Sequence, residues 1–181
     1  AFVLSHGRDL LVFKMVGYAE QNVDYYQLQD FKAHAWIAHQ RYPTKGRVWH
    51  PGGAHPFVGL NEALVHNGDF ANYYSVGEYL KQHNIAPQFL TDTEVSVLLF
   101  DLLTRVHRYP LEYVIEALAP TTELDFDRLP PEKQKVYRLI QATGREHLGQ
   151  GNDAGRVGLV SADAAGRLAA NDGNAMGTYI E

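Results

Sequence analysis

A chain of 181 residues is long enough to bury one substantial core and too short to expect two. It is 45% hydrophobic and 20% charged, the composition of an ordinary globular domain. Its net charge of −5, with no basic run to supply phosphate contacts, argues against a nucleic-acid or anionic-membrane partner.

No apolar run approaches the roughly eighteen residues of a membrane span and no charged-then-apolar leader opens the chain, so a cytoplasmic location is expected. There is no cysteine, hence no disulfide, thiolate metal site or thiol nucleophile in these residues. The first residue is Ala1, and Ala1-Phe2-Val3-Leu4 enters as if mid-strand; the expectation is a chain lacking its natural beginning.

In chain order, residues 1–4 and 9–16 read as a strand pair turning at Ser5-His6-Gly7-Arg8. Residues 17–30 are acidic and tyrosine-rich, and residues 31–39 alternate like a strand with Ala33, Ala35 and Ile37 on one side. Pro43 ends any central ladder, so Arg41 sits where strand gives way to loop. Residues 45–56 form a long Gly- and Pro-containing loop, of the kind that is commonly functional or mobile. Short strands at 57–60 and 62–65 lead to His66-Asn67-Gly68, read as a turn.

Beyond Phe70 the period becomes helical, with Val76, Tyr79 and Leu80 on one face and Asn84 as C-terminal cap. Thr91-Asp92-Thr93-Glu94 reads as a capping box opening an amphipathic helix whose face runs Val95, Leu98, Leu99, Leu102, Leu103 and Val106, to about His107. Residues 111–118 form another helix, 121–131 an acidic loop, and 131–144 a third helix with Val136, Leu139 and Ile140 inward. Residues 149–181 hold one or two terminal strands, at Val157 to Val160 and Leu168 to Ala170.

The stretch Leu64-Val65-His66-Asn67-Gly68-Asp69 organises the chemistry. A turn there aims a side-chain amide and a backbone N–H at one point, which is what a tetrahedral oxyanion needs, so Asn67 and Gly68 are the candidate oxyanion pair. Taken alone, Asn-Gly favours a hairpin tip; the company of Arg41 upstream and Asp92 downstream favours the oxyanion pair. Nine histidines invite a metal reading, but His34 and His39 are five apart and no His-Glu-x-x-His helix accompanies them, so no metal site is expected.

His39-Gln40-Arg41-Tyr42-Pro43-Thr44, Ala54-His55-Pro56-Phe57, Val65-His66-Asn67-Gly68-Asp69 and Thr91-Asp92-Thr93-Glu94, in that order, resemble the class II glutamine amidotransferase domain. Within that family the likeness is to the amidotransferase portion of glutamate synthase, with Tyr42 after the arginine and Leu99-Phe100-Asp101-Leu102-Leu103 after the aspartate. The resemblance covers residues 1–148 as an amidotransferase domain lacking its first strand. Residues 149–181 match poorly, as a C-terminal extension or terminal strands, because the Gly-Pro-Phe strand of the family is not found there.

The resemblance implies an α+β fold of the N-terminal-nucleophile hydrolase kind, a four-layer αββα sandwich of two sheets between helical layers, incomplete at its N-terminus. It also implies a glutaminase in which an N-terminal cysteine, with its own α-amine as base, converts glutamine to glutamate and ammonia for a synthase partner. Carried over, Arg41 would pair with the glutamine α-carboxylate, Thr44 would stand beside the substrate, Asp92 would take the α-ammonium, and Asn67 with Gly68 would hold the oxyanion. A site for a zwitterion independently wants one fixed cation, one fixed anion and neutral donors between them. Each residue also has a plain reading: a surface ion pair for Arg41, a first-turn helix charge for Asp92, loop hydrogen bonding for Thr44.

No cofactor is expected in the domain itself; flavin mononucleotide and iron–sulfur centres would belong to the synthase. Without a thiol the 181 residues alone are expected to be inactive. The alternative is a nucleophile-less module of the same fold that binds glutamine or glutamate, or serves as a scaffold.

Overall fold

The computed structural model describes residues 10–40, 50–70, 72–118, 120–148, 152–162, 168–171 and 178–180. Its architecture is α+β. The elements run α1 (Ala19–Tyr26), a 3-10 turn (Pro51–Gly53), β1 (Phe57–Val58), β2 (Glu62–Phe70), α2 (Tyr73–Gln82), α3 (Asp92–Asp101) continued by a π-helical segment (Leu102–Val106), α4 (Leu111–Leu118), α5 (Glu123–Phe126), α6 (Pro131–Leu148), β3 (Asn152–Ala162), β4 (Leu168–Asn171) and β5 (Thr178–Ile180). The five strands form one antiparallel sheet in the order β1-β2-β3-β4-β5. No helix of the described residues is long and apolar enough to cross a membrane.

The helix α3 carries the core. Val97 and Phe100 pack with Phe57 and Leu64 from the sheet and Val114 from α4, while Val95, Leu99 and Leu102 pack with Phe70, Val76 and Leu80. The expected single apolar stripe is therefore too narrow: with partners on two sides, α3 buries nearly its whole circumference, and Val106, placed inward by periodicity, is half exposed beyond the last layer. Each fully buried Leu or Val here contributes about 1.5–3 kcal/mol. The Thr91 side chain accepts the Glu94 N–H, as the capping pattern predicts. The reciprocal half of the box is replaced: the Glu94 carboxylate turns away to accept the N–H groups of Gln88, Phe89 and Leu90.

Several strand expectations are corrected. Residues 10–16 and 31–39 form no strand, and α1 occupies part of the tyrosine-rich stretch between them. Alternation favours an extended backbone, but a ladder needs a neighbour, and Phe13, Tyr26, Phe31 and Trp36 instead meet ring to ring. Residues 1–9, with the proposed first strand and turn, lie outside the described residues.

The His66-Asn67-Gly68 turn is likewise corrected, because β2 runs straight through it, paired with β3 on both sides. Residues 152–162, scarcely legible in the sequence, supply that partner. In α6 the inward face is rotated from the expected one: Tyr137 is buried with Phe126 and Leu129, Ile140 packs against them, and Leu139 is 68% exposed. The acidic loop contains the short helix α5, and the described residues of the tail form three strands where one or two are expected. Asn84 has the left-handed backbone (φ 60°) suited to ending α2.

Candidate functional site

Asp92 is the first residue of α3, and its carboxylate bridges the helix start to the end of β2. Oδ2 accepts the Phe70 N–H at 3.2 Å and stands 3.6 Å from His66 Nδ1, while Oδ1 accepts the Thr93 N–H at 2.9 Å and its hydroxyl at 3.4 Å. An anion at this position is favoured by the helix dipole. It touches β2 at residues 66 and 70, on either side of Asn67-Gly68-Asp69.

Between those contacts the β2–β3 register slips. Asn67 faces Arg156 and Asp69 faces Asp153, so Gly68 alone on β2 opposes Ala154 and Gly155 on β3. A bulge of this kind kinks the strand and re-aims its residues, and such bulges are over-represented beside active sites. The local departure from regular pairing that a turn would supply is thus supplied by a bulge.

On the other side of Asp92, Thr93 is 1% exposed and its Oγ1 lies 2.9 Å from His55 Nε2. The His55 ring rests 4.2 Å, centroid to centroid, from that of His39. His39, His55, Thr93, Asp92 and His66 are therefore linked side chain to side chain, and each comes from a different one of the four sequence motifs except for the adjacent pair Asp92 and Thr93.

Of the residues singled out in the sequence, Asp92 is placed as described, and Asn67 and Gly68 have their backbones at the bulge beside it. Arg41 and Thr44 lie outside the described residues. Given no part in glutamine binding by the sequence, His55 and Thr93 form the bridge between the loop and α3, and each stands within a motif already noted, His55 beside Pro56 and Thr93 beside Asp92.

The loop that carries His55 is tightly built. His50 caps the 3-10 turn by accepting the Gly52 N–H on Nδ1 at 3.0 Å and stacks on Phe89. Gly52 lets the turn approach these rings closely: a Cβ would fall 2.3 Å from Phe89 Cζ and 2.9 Å from His50 Nδ1, so a larger residue forces the rings to shift.

No family model matches the chain. It is 38% identical over 142 residues to an uncharacterized protein of Archaeoglobus fulgidus, covering 78% of this chain and 37% of that protein. It is 32% identical over 100 residues to glutamine–fructose-6-phosphate aminotransferase (isomerizing) of Campylobacter jejuni, 54% of this chain and 16% of that enzyme. The same enzyme from Bacteroides thetaiotaomicron is 31% identical over 111 residues, 60% of this chain and 18% of that protein. The chain thus spans little more than a third of the first relative and under a fifth of the other two. These partial likenesses support an amidotransferase-like domain.

Proposed function

We propose that this chain is the glutamine-binding part of a glutamine amidotransferase, a glutaminase domain that releases ammonia to a synthase. The observation that carries the reading is the convergence of all four motifs through His39, His55, Thr93, Asp92 and His66. In the sequence Arg41 follows His39, at the described end of the same motif, by two residues. A guanidinium and a carboxylate suit the two charged ends of a free amino acid, and the Asn67-Gly68 bulge beside Asp92 suits the amide that reacts.

In this reading Arg41 binds the α-carboxylate, Asp92 the α-ammonium, Thr44 lies beside the substrate, and Asn67 with Gly68 stabilises the oxyanion. The thiol that attacks the amide is not among these 181 residues, which hold no cysteine, so the activity belongs to the native gene product. The four-layer αββα sandwich is part of the proposal, as is a cytoplasmic setting. A glutamate synthase is the acceptor that the motif resemblance favours, and flavin and iron–sulfur groups would lie in that partner. A sugar-phosphate aminotransferase acceptor is the second reading, favoured by the named relatives.

The test is glutamine hydrolysis by the full-length product and its Arg41→Ala variant. Loss of the guanidinium raises KM for glutamine with a smaller change in kcat; an unchanged kcat/KM removes Arg41 from the site. Glutamine or glutamate binding without turnover by the native product would favour the nucleophile-less module instead.

A further inference from the structure

The segment of residues 50–56 is gripped from two sides. Lys14 reaches in from residues 10–16, its Nζ donating to the Ala54 carbonyl at 2.6 Å and the Gly52 carbonyl at 3.2 Å, and sits 4.7 Å from the centre of the Phe57 ring. The Lys14 carbonyl in turn accepts the Tyr26 hydroxyl at 2.9 Å, which ties this strap to α1. From the other side Phe89 packs on His50 and Phe57, and its backbone is held by the Glu94 carboxylate. A surface lysine gains most of its solvation from water; this one gives its donors to two carbonyls of one tight turn, and the residue after that turn is His55.

We infer that Lys14 is a positioning residue: by tying the Gly52 and Ala54 carbonyls together it fixes where the His55 ring meets Thr93, and so how Asp92 is presented beside β2. The chemistry of the grip is charge-assisted hydrogen bonding, roughly twice as strong as its neutral counterpart. Burial pulls the Lys14 ammonium down to about 8, with the Glu94 charge partly opposing the fall, so the group still carries its charge and its three donors at neutral pH. Among the described residues, the Lys14 ammonium makes its contacts with Gly52, Ala54 and Phe57 and not with Asp92; its effect runs through His55.

The geometric half of the inference stands by itself, whereas its consequence for glutamine rests on the glutaminase reading, and two measurements separate them. The first is the side-chain nitrogen spectrum of 15N-histidine-labelled full-length protein, with the His55 signal assigned by His55→Gln. In Lys14→Met the His55 signal shifts, and in Lys14→Arg, which keeps the cation and can donate to both carbonyls, it returns toward its original position. Should Lys14→Met not fold, Lys14→Gln, which can serve only one carbonyl, takes its place.

The second measurement is glutamine turnover, where KM rises about tenfold in the neutral variant with kcat within about twofold, and Arg restores KM. An unmoved His55 signal in a folded neutral variant overturns the inference, as does a shift equal in the Met and Arg variants. A shifted His55 signal in a protein whose wild type does not hydrolyse glutamine leaves the grip in place and removes the glutaminase reading.

Discussion

His66 Nδ1 stands 3.6 Å from Asp92 Oδ2, too far for a hydrogen bond and close enough for an ion pair when the ring is protonated. The carboxylate's firm partners are the Phe70 and Thr93 N–H groups, so its orientation is set by the backbone of β2 and of α3 rather than by a side chain free to turn away. That is the arrangement expected of an anion kept ready for a cationic ligand, and it gives the first prediction.

Asp92→Asn keeps one acceptor oxygen where the carboxylate has two, and loses the charge. A hydrogen bond to a charged group contributes about 1.5–3 kcal/mol, so KM for glutamine in the full-length protein rises roughly ten- to hundredfold with kcat less affected. Steady-state kinetics check this, and an unaltered KM would deny Asp92 contact with the substrate.

The start of α3 is held by two groups of unequal weight. Thr91→Ala removes one capping hydrogen bond and costs about 1 kcal/mol. Glu94→Ala strips the acceptor from three successive N–H groups, of Gln88, Phe89 and Leu90, and costs roughly 2–4 kcal/mol. Urea unfolding ranks the two; a Glu94 loss no larger than that of Thr91 contradicts the assignment.

At the opposite end of β2, Glu62 is buried beside Asp101. Burial raises its pKa above 4.5, the Asp101 charge adds to the rise, and hydrogen bonds from Thr104 and the Asn61 N–H oppose it. The folded state therefore keeps this proton longer than the unfolded state, and stability falls as pH rises through the window just above 4.5. Below that window both states are protonated and the penalty vanishes. Glu62→Gln removes the penalty, so its stability relative to wild type improves from pH 4 to pH 7 in paired denaturation curves; a pH-independent difference would be the contrary result.

Local signals in the sequence were strongest where one element supplies its own evidence. The Thr91 cap, the run from Val95 to Leu103 and the helix of residues 111–118 need only neighbours three and four positions away, and they stand in the structure where the pattern puts them. Residues 31–39 show the converse: Ala33, Ala35 and Ile37 alternate like a strand, yet no ladder forms there, because pairing is a property of two segments. The inward face of α6 was misread for a similar reason, since Tyr137 is drawn in by its hydroxyl bond to Glu112 on α4, a partner twenty-five residues away.

What the sequence by itself determined is the chemistry available: four short motifs in fixed order, an acid at a helix start, an Asn-Gly pair after an apolar lead, and no thiol. What only the tertiary structure decided is how the described ones meet. Asn67-Gly68 became a bulge rather than a turn because β3, ninety residues on, continues the ladder past it, and His55 and Thr93 became a bridge because the Lys14 and Phe89 contacts bring their segments together. Spacing along a chain records local geometry, whereas contacts between distant segments are set by packing that no single stretch encodes.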